Sequence, residues 1–142
     1  MHEEPTYNPE SPLGKLTICY KHKLENCAGM TVVGLIIEYP PNGATPPHRH
    51  GGAAVSAYVL RGAILNKMNE DPIELIEQGD LWHEPPGCHH RISANASQTE
   101  AASFFVTIVI ETDKLGREGV SVLLQYDEEY KDIVARKMQG LK

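Results

Sequence analysis

Turn signals recur at short intervals along this chain: Pro40-Pro41-Asn42-Gly43, Pro46-Pro47, Gly51-Gly52, Arg61-Gly62, Glu77-Gln78-Gly79-Asp80 and Pro85-Pro86-Gly87. Proline presets its own φ and Asn-Gly tolerates positive φ, so each of these breaks the chain direction. The segments between them are short and rich in β-branched and apolar residues, which reads as strands. Leu13–Tyr20, Met30–Tyr39, Ala53–Leu60, Ala63–Asn66, Pro72–Ile76, Leu81–Glu84, His89–Ser93, Ala101–Glu111 and Val120–Tyr126 are the expected strands. Lys67–Asp71, Asn95–Glu100 and Asp113–Gly119 are polar connections.

Only one segment has a helical pattern. After Asp127, a good N-cap, Glu128 and Glu129 suit the positive end of a helix, and Tyr130, Ile133, Val134 and Met138 recur at helical spacing toward Gly140. The expectation is an all-β sandwich or barrel with a short C-terminal helix. Residues 1–12, broken by Pro5, Pro9 and Pro12, form an arm that is loose or laid over a neighbour. Residues 13–126 then make one β domain, and 127–140 the helix. The run Thr31–Ile37 and the segment Phe104–Ile110 are apolar on both alternating faces, more than one inward face needs. A second buried face, a homodimer contact, is the simplest explanation.

A length of 142 residues suits one ordinary domain with a real core. A formal charge of −6 opposes a phosphate-backbone or acidic-membrane partner, so neither nucleic acid nor a bilayer is expected. Phe104–Ile110, the longest apolar run, is too short to cross a membrane. Three cysteines (Cys19, Cys27, Cys88) cannot all pair within one chain, and Met-His-Glu-Glu-Pro carries no leader pattern, so a reducing, cytoplasmic setting is expected.

Chemistry concentrates around two segments. In Gly-Ala-Thr-Pro-Pro-His-Arg-His (43–50), His48 and His50 share one face if the backbone is extended, with Arg49 opposite. Two imidazoles on one side are apt ligands for zinc, iron, copper or nickel. The place to look for a third is Pro-Pro-Gly-Cys-His-His (85–90). His-x-His alone is common in polar surface loops. Two such segments at matched spacing are a stronger sign of a metal-capable pocket.

With these residues in view the chain resembles the cupins, small β-barrels of the double-stranded jelly-roll type. Their first motif, a glycine, a short spacer, His-x-His, a carboxylate and a closing glycine, is matched from Gly43 to Gly62, with His48 and His50 in the ligand places. The second, glycine, five residues, Pro-x-Gly, two residues and histidine, is matched by Gly79, Pro85-Pro86-Gly87 and His90. Sixteen residues separate Gly62 from Gly79. Two positions depart from the pattern. Where many cupins carry a glutamate ligand this chain has Val55, flanked by Ala54 and Ser56, and the closing asparagine is Ala94, with Asn95 one step late.

The resemblance implies one divalent metal ion per chain, iron(II) first and then zinc, nickel or manganese, held by His48, His50 and His90, with open positions for substrate. Glu84, at the end of the strand leading to the Pro85 turn, is either a substitute ligand or a catalytic base; the bland alternative is a rim glutamate facing water. His89 alternates to the opposite face from His90, and Cys88 reads as incidental. Trp82 and His83 line the pocket or pack outside, while Tyr58, Phe105 and Thr107 line the barrel or are plain core. Gly51-Gly52 permits a bulge that turns Val55 inward. The function implied is a metal-dependent enzyme on a small oxygenated organic molecule. It would be a dioxygenase, or a metal-assisted isomerase, decarboxylase or cyclase of the kind found in natural-product and polyketide tailoring. The alternative is a cupin that binds a sugar or effector without turnover.

Overall fold

A computed structural model of the chain describes residues 4–140. Eleven strands form two antiparallel sheets: β1 (Lys15–Lys23), β2 (Met30–Tyr39), β3 (Ala44–Thr45), β4 (His48–Arg49), β5 (Ala54–Arg61), β6 (Ala63–Met68), β7 (Glu74–Glu77), β8 (Leu81–Glu84), β9 (His90–Asn95), β10 (Ala102–Glu111) and β11 (Gln125–Tyr126). One sheet runs β1-β2-β10-β5-β8, the other β11-β4-β9-β6-β7 with β3 added on β9. The expected all-β jelly roll is therefore present, built as two facing sheets.

Period-two alternation fixes which side chains lie between the sheets. In β10, Ala102, Phe104, Val106, Ile108 and Ile110 are buried, while the residues between them are half-buried. Val33, Leu35 and Ile37 of β2, Val55, Ala57 and Val59 of β5 and Ile64 of β6 join them in one core. Each Val, Leu, Ile or Phe among them contributes about 1.5–3 kcal/mol when fully buried, and a slip of one residue in β10 would reverse four of these, Phe104, Val106, Ile108 and Ile110, along with Ala102. The ten-residue ladder of β10 with β2, from Ala102 opposite Tyr39 to Glu111 opposite Met30, makes that register unambiguous.

Beyond β10 the expectations change. In place of the polar connection expected at Asp113–Gly119 stands a helix, α1 (Thr112–Glu118), with Leu115 buried against the core. One inward residue in two turns leaves no periodic signature. Val120–Tyr126 is a strand only at Gln125–Tyr126; Val120–Leu123 is a 3-10 turn in which consecutive Val122 and Leu123 are both buried, which an alternating strand does not allow. The C-terminal helix, α2 (Lys131–Gly140), follows a 3-10 turn at Glu128–Tyr130. Asp127 precedes that turn but makes no side-chain cap. Val134 is buried and Met138 is exposed, so the apolar stripe is narrower than its sequence spacing.

The described part of the arm lies over its own chain. Ala44 N–H donates to Pro12 O (3.0 Å), Glu4 pairs with Lys67, and Tyr7 meets Tyr130 edge-on at 5.1 Å. Among the described residues, no helix is long and apolar enough to cross a membrane, and the three cysteines are free thiols.

Candidate metal centre

The register of the strands assembles the site. His48 of β4 lies directly opposite His90 of β9, so two imidazoles from segments far apart in sequence are cross-strand neighbours. His50 follows one turn of chain later, where Gly51 and Gly52 adopt φ of +64° and +80° and redirect the backbone. One ligand nitrogen from each of the three rings can be chosen so that all lie within 4.8 Å of one another. His48 and His90 are 2 % and 3 % exposed, and the His50 side chain 10 %, so the cluster faces inward between the sheets.

Backbone carbonyls orient two of the rings. His48 Nδ1–H donates to Pro46 O (2.7 Å) and His50 Nδ1–H to Leu123 O (2.7 Å), which leaves each Nε2 with a lone pair. His90 is held differently: its Nε2 contacts Asn66 Oδ1 (2.5 Å), and its Nδ1 lies 3.4 Å from Glu84 Oε1. Asn66 is 1 % exposed. Sequence reasoning gave it no role, although Ile64 and Asn66 share a face, and an amide on an apolar strand face needs a partner. The carbonyl of Leu123 leaves no side-chain signal to read.

Glu84 is no rim residue. It is 2 % exposed, with Trp82 Nε1–H donating to its Oε2 (3.0 Å) and His50 Nε2 3.1 Å from its Oε1. Val55, the residue at the usual carboxylate place, is buried and pairs in register with Glu84 across β5 and β8. Side chains so paired lie on one sheet face about 5 Å apart. Glu84 therefore brings a carboxylate into the space that Val55 leaves apolar.

The facing lone pairs of His50 Nε2 and Glu84 Oε1 are satisfied by a proton or a cation between them. Around an ion with ligands at about 2.1 Å, neighbouring donors stand about 3.0 Å apart in octahedral and about 3.4 Å in tetrahedral geometry. The 3.1 Å and 3.4 Å separations from Glu84 Oε1 to His50 and His90 match those edges, and the three histidine nitrogens lie within 4.8 Å of one another, a donor set whose chemistry suits a divalent ion.

Burial dominates the electrostatics. It holds His48 well below the ordinary histidine value, helped by the neighbouring His50 and His90, and it lowers His90 to about 4 despite the nearby Glu84 carboxylate. Burial pushes Glu84 upward, but the hydrogen bond with His50, the charges of His90 and His50 and the Trp82 N–H outweigh it and bring the carboxyl to about 2. The site thus favours neutral His48 and His90 beside an ionised Glu84, the protonation states that metal ligands need.

The remaining candidates fall out as follows. Trp82 is buried, its ring 5.1 Å from Phe104 and 6.0 Å from His90, so it lines the site, whereas His83 is exposed. His89 points away from His90 and binds Asp127 (2.9 Å), which ties the turn before β9 to the C-terminal segment. The Cys88 thiol is pushed up to about 11, mainly by burial, so it is not a nucleophile at neutral pH. Tyr58, Phe105 and Thr107 do not line the interior; they alternate with buried neighbours and sit on the outer face of the five-stranded sheet. Asn95, one step late in the motif, clamps two loops by donating to Pro40 O (3.1 Å) and Glu100 O (2.7 Å).

Fold and donor set together define a small jelly-roll protein with an inward histidine triad. Residues 35–109, more than half the chain, match the family model described as a cupin domain, and the chain belongs to that family. Solved structures agree on the fold. A protein from Thermus thermophilus is similar at 21 % identity and TM-score 0.55, covering 73 % of this chain and 88 % of its own. A cupin domain from Bordetella pertussis Tohama I is 21 % identical at TM-score 0.55, covering 71 % and 97 %. Oxalate oxidase in complex with the substrate analogue glycolate is 16 % identical at TM-score 0.57, covering 96 % and 78 %. No curated protein matches.

Proposed function

We propose that this cupin is a metal-dependent enzyme acting on a small oxygenated organic molecule, with His48, His50 and His90 holding one divalent ion and Glu84 as the site's carboxylate. The observation that carries the reading is the convergence of three imidazoles, two of them buried and His50 largely so, and one buried carboxylate, drawn from both sheets, with lone pairs turned toward one another. Iron(II) is the first expectation, followed by zinc, nickel and manganese. When bound, the ion supplies Lewis acidity toward a carbonyl or enolate and, if it is iron, a route to dioxygen chemistry.

The chain's own residues do the rest. The carbonyls of Pro46 and Leu123 fix two rings in one tautomer, and Asn66 holds the third. Trp82 engages one oxygen of Glu84 and leaves the other directed at the histidines. An ionised Glu84 orients a substrate hydroxyl by accepting its hydrogen bond, and the surrounding Val55, Trp82 and Phe104 keep that contact out of bulk water. The three free thiols support a reducing, cytoplasmic setting.

Elemental analysis of protein purified without chelators tests the proposal. About one ion per chain is expected, lost in His48→Ala and His90→Ala variants that keep their circular dichroism spectrum. Equal metal content in wild type and variants refutes the site. Oxygen uptake with diketones, phenols and thiols then separates a dioxygenase from an isomerase, decarboxylase or cyclase. Stoichiometric metal with ligand binding but no turnover moves the reading to an effector-binding cupin.

A further inference from the structure

Strand pairing is weakest where the ligands need it most. His48 lies in β4, which is two residues long and follows Pro46 and Pro47, neither of which has an N–H to give a ladder. β4 meets β9 at one registered pair, His48 opposite His90. On the other side of β9 the ladder with β6 slips between Lys67 and Met68, beside the Met68–His90 pair. Ligand placement to within about 0.5 Å needs more than the ends of two ladders.

A second set of bonds runs through the residue in front of each of these ligands. Asn69, in left-handed backbone at φ +53°, donates its N–H to His89 O (2.8 Å) and accepts the His89 N–H on Oδ1 (3.0 Å). Asparagine is among the few residues that visit such backbone readily. One residue thereby holds both polar backbone groups of His89. The His89 ring reaches the other way: Nε2–H donates to the Asp127 carboxylate, 3.0 Å from Oδ1 and 2.9 Å from Oδ2. Asp127 in turn donates its N–H to Pro47 O (2.9 Å), the carbonyl in front of His48. The path from Asn69 through His89 and Asp127 to Pro47 thus joins the end of β6 to the segment carrying His48, by way of the residue beside His90.

We infer that His89 and Asp127 form a latch that positions His90 against His48, so that the histidine facing away from the site governs how well the ligands converge. The inference rests on the metal reading above for what the triad holds, and goes beyond it in assigning the convergence to two positioning residues outside the donor set. Neither side chain belongs to the core cluster, so removing either leaves the packing between the sheets intact. Both are 22 % exposed, and the contact is less open to solvent than the Arg91–Glu70 pair, whose side chains are 40 % and 87 % exposed. That pair follows His90 on the same strand but leads to no ligand-bearing segment, which makes it the control.

Zinc affinity of the full chain, read by competition with a chromophoric chelator, tests the latch. His89→Ala and Asp127→Ala, with unchanged circular dichroism spectra, should each weaken binding about tenfold, and Asp127→Asn, which keeps an acceptor for the ring, should stay within about twofold of wild type. The double alanine variant should lose no more than either single one, because both remove the same link. Glu70→Ala should bind as wild type does. The visible spectrum of the cobalt(II)-loaded protein should shift in both alanine variants and return in Asp127→Asn. Additive losses, or wild-type affinity in either alanine variant, overturn the inference. The ring nitrogen resonances of His90 in the metal-free protein give a reading that needs no ion. They should move alike in His89→Ala and Asp127→Ala, and unmoved resonances overturn the latch. A wild type that takes up no zinc refutes the metal reading alone, and the resonances then decide the latch.

Discussion

The two glycines after His50 give a sharp test of how the C-terminal segment supports the site. Both have positive φ, +64° at Gly51 and +80° at Gly52, so alanine at either costs about 1–2 kcal/mol in left-handed backbone. Their surroundings differ. A Cβ on Gly51 would stand 2.6 Å from Val122 Cγ2 and 2.8 Å from the Val122 carbonyl oxygen, whereas one on Gly52 meets nothing nearer than Lys114 Nζ at 3.9 Å. Because the Val122 obstacle includes backbone, relief requires the 3-10 turn to move, adding about 1–3 kcal/mol. Gly51→Ala should therefore lose about 2–5 kcal/mol in urea unfolding of the metal-free protein, and Gly52→Ala about 1–2 kcal/mol at the same m value. The displaced turn carries Leu123, whose carbonyl accepts from His50. Metal affinity should accordingly fall about 10–100-fold in Gly51→Ala and stay near wild type in Gly52→Ala. Equal destabilisation by the two variants, or undiminished metal binding in Gly51→Ala, refutes the argument that this turn props the ligand ring.

Acid should weaken the metal-free fold in a defined window. His90 is held at about 4 in the folded chain, and His48 well below its ordinary 6.5. The unfolded chain therefore takes up protons that the folded chain refuses, and stability falls as pH drops from about 6.5 toward 4, by up to about 3 kcal/mol from His90 alone. Glu84, lowered to about 2, has the same linkage at lower pH: its contribution is present above 4.5 and is lost as pH falls through 2, extending the decline. Urea midpoints at pH 7.5, 5.5 and 4.5 read this, and a flat profile contradicts neutral buried imidazoles. Separately, Tyr39→Phe should cost about 1–2 kcal/mol, since the hydroxyl bonds Thr45 and Ser93 Oγ (2.9 Å) in a buried cluster between β2 and β9. An unchanged unfolding midpoint would mean that these hydroxyls re-pair without it.

Much of this architecture was legible because it follows from local rules. Gly43 through Gly62 and Gly79 through His90 announce their turns by composition, the Gly51-Gly52 pair allowed Val55 to turn inward, and alternation placed His89 away from His90. The burial of Glu84 was not legible, because its neighbour Val55 is a pairing set by sheet register rather than sequence distance. The same limit hid Asn66, whose partner His90 lies 24 positions away. Tyr58 and Phe105 were ambiguous because an aromatic on a strand reads alike from either face. Residues 112–124 defeated periodicity: each short turn buries one or two side chains, and Leu123 acts through its backbone.

The pairing of Val55 with Glu84 puts a carboxylate beside a position that is itself aliphatic. Twenty-nine positions separate the two in the chain, yet neighbouring strands aim them into the same chamber. A search that insists on an acid at a fixed offset after His50 would score this protein as defective. Because the sheet sets the two positions side by side, other chains with an aliphatic at the first address are worth inspecting for an acid at the second.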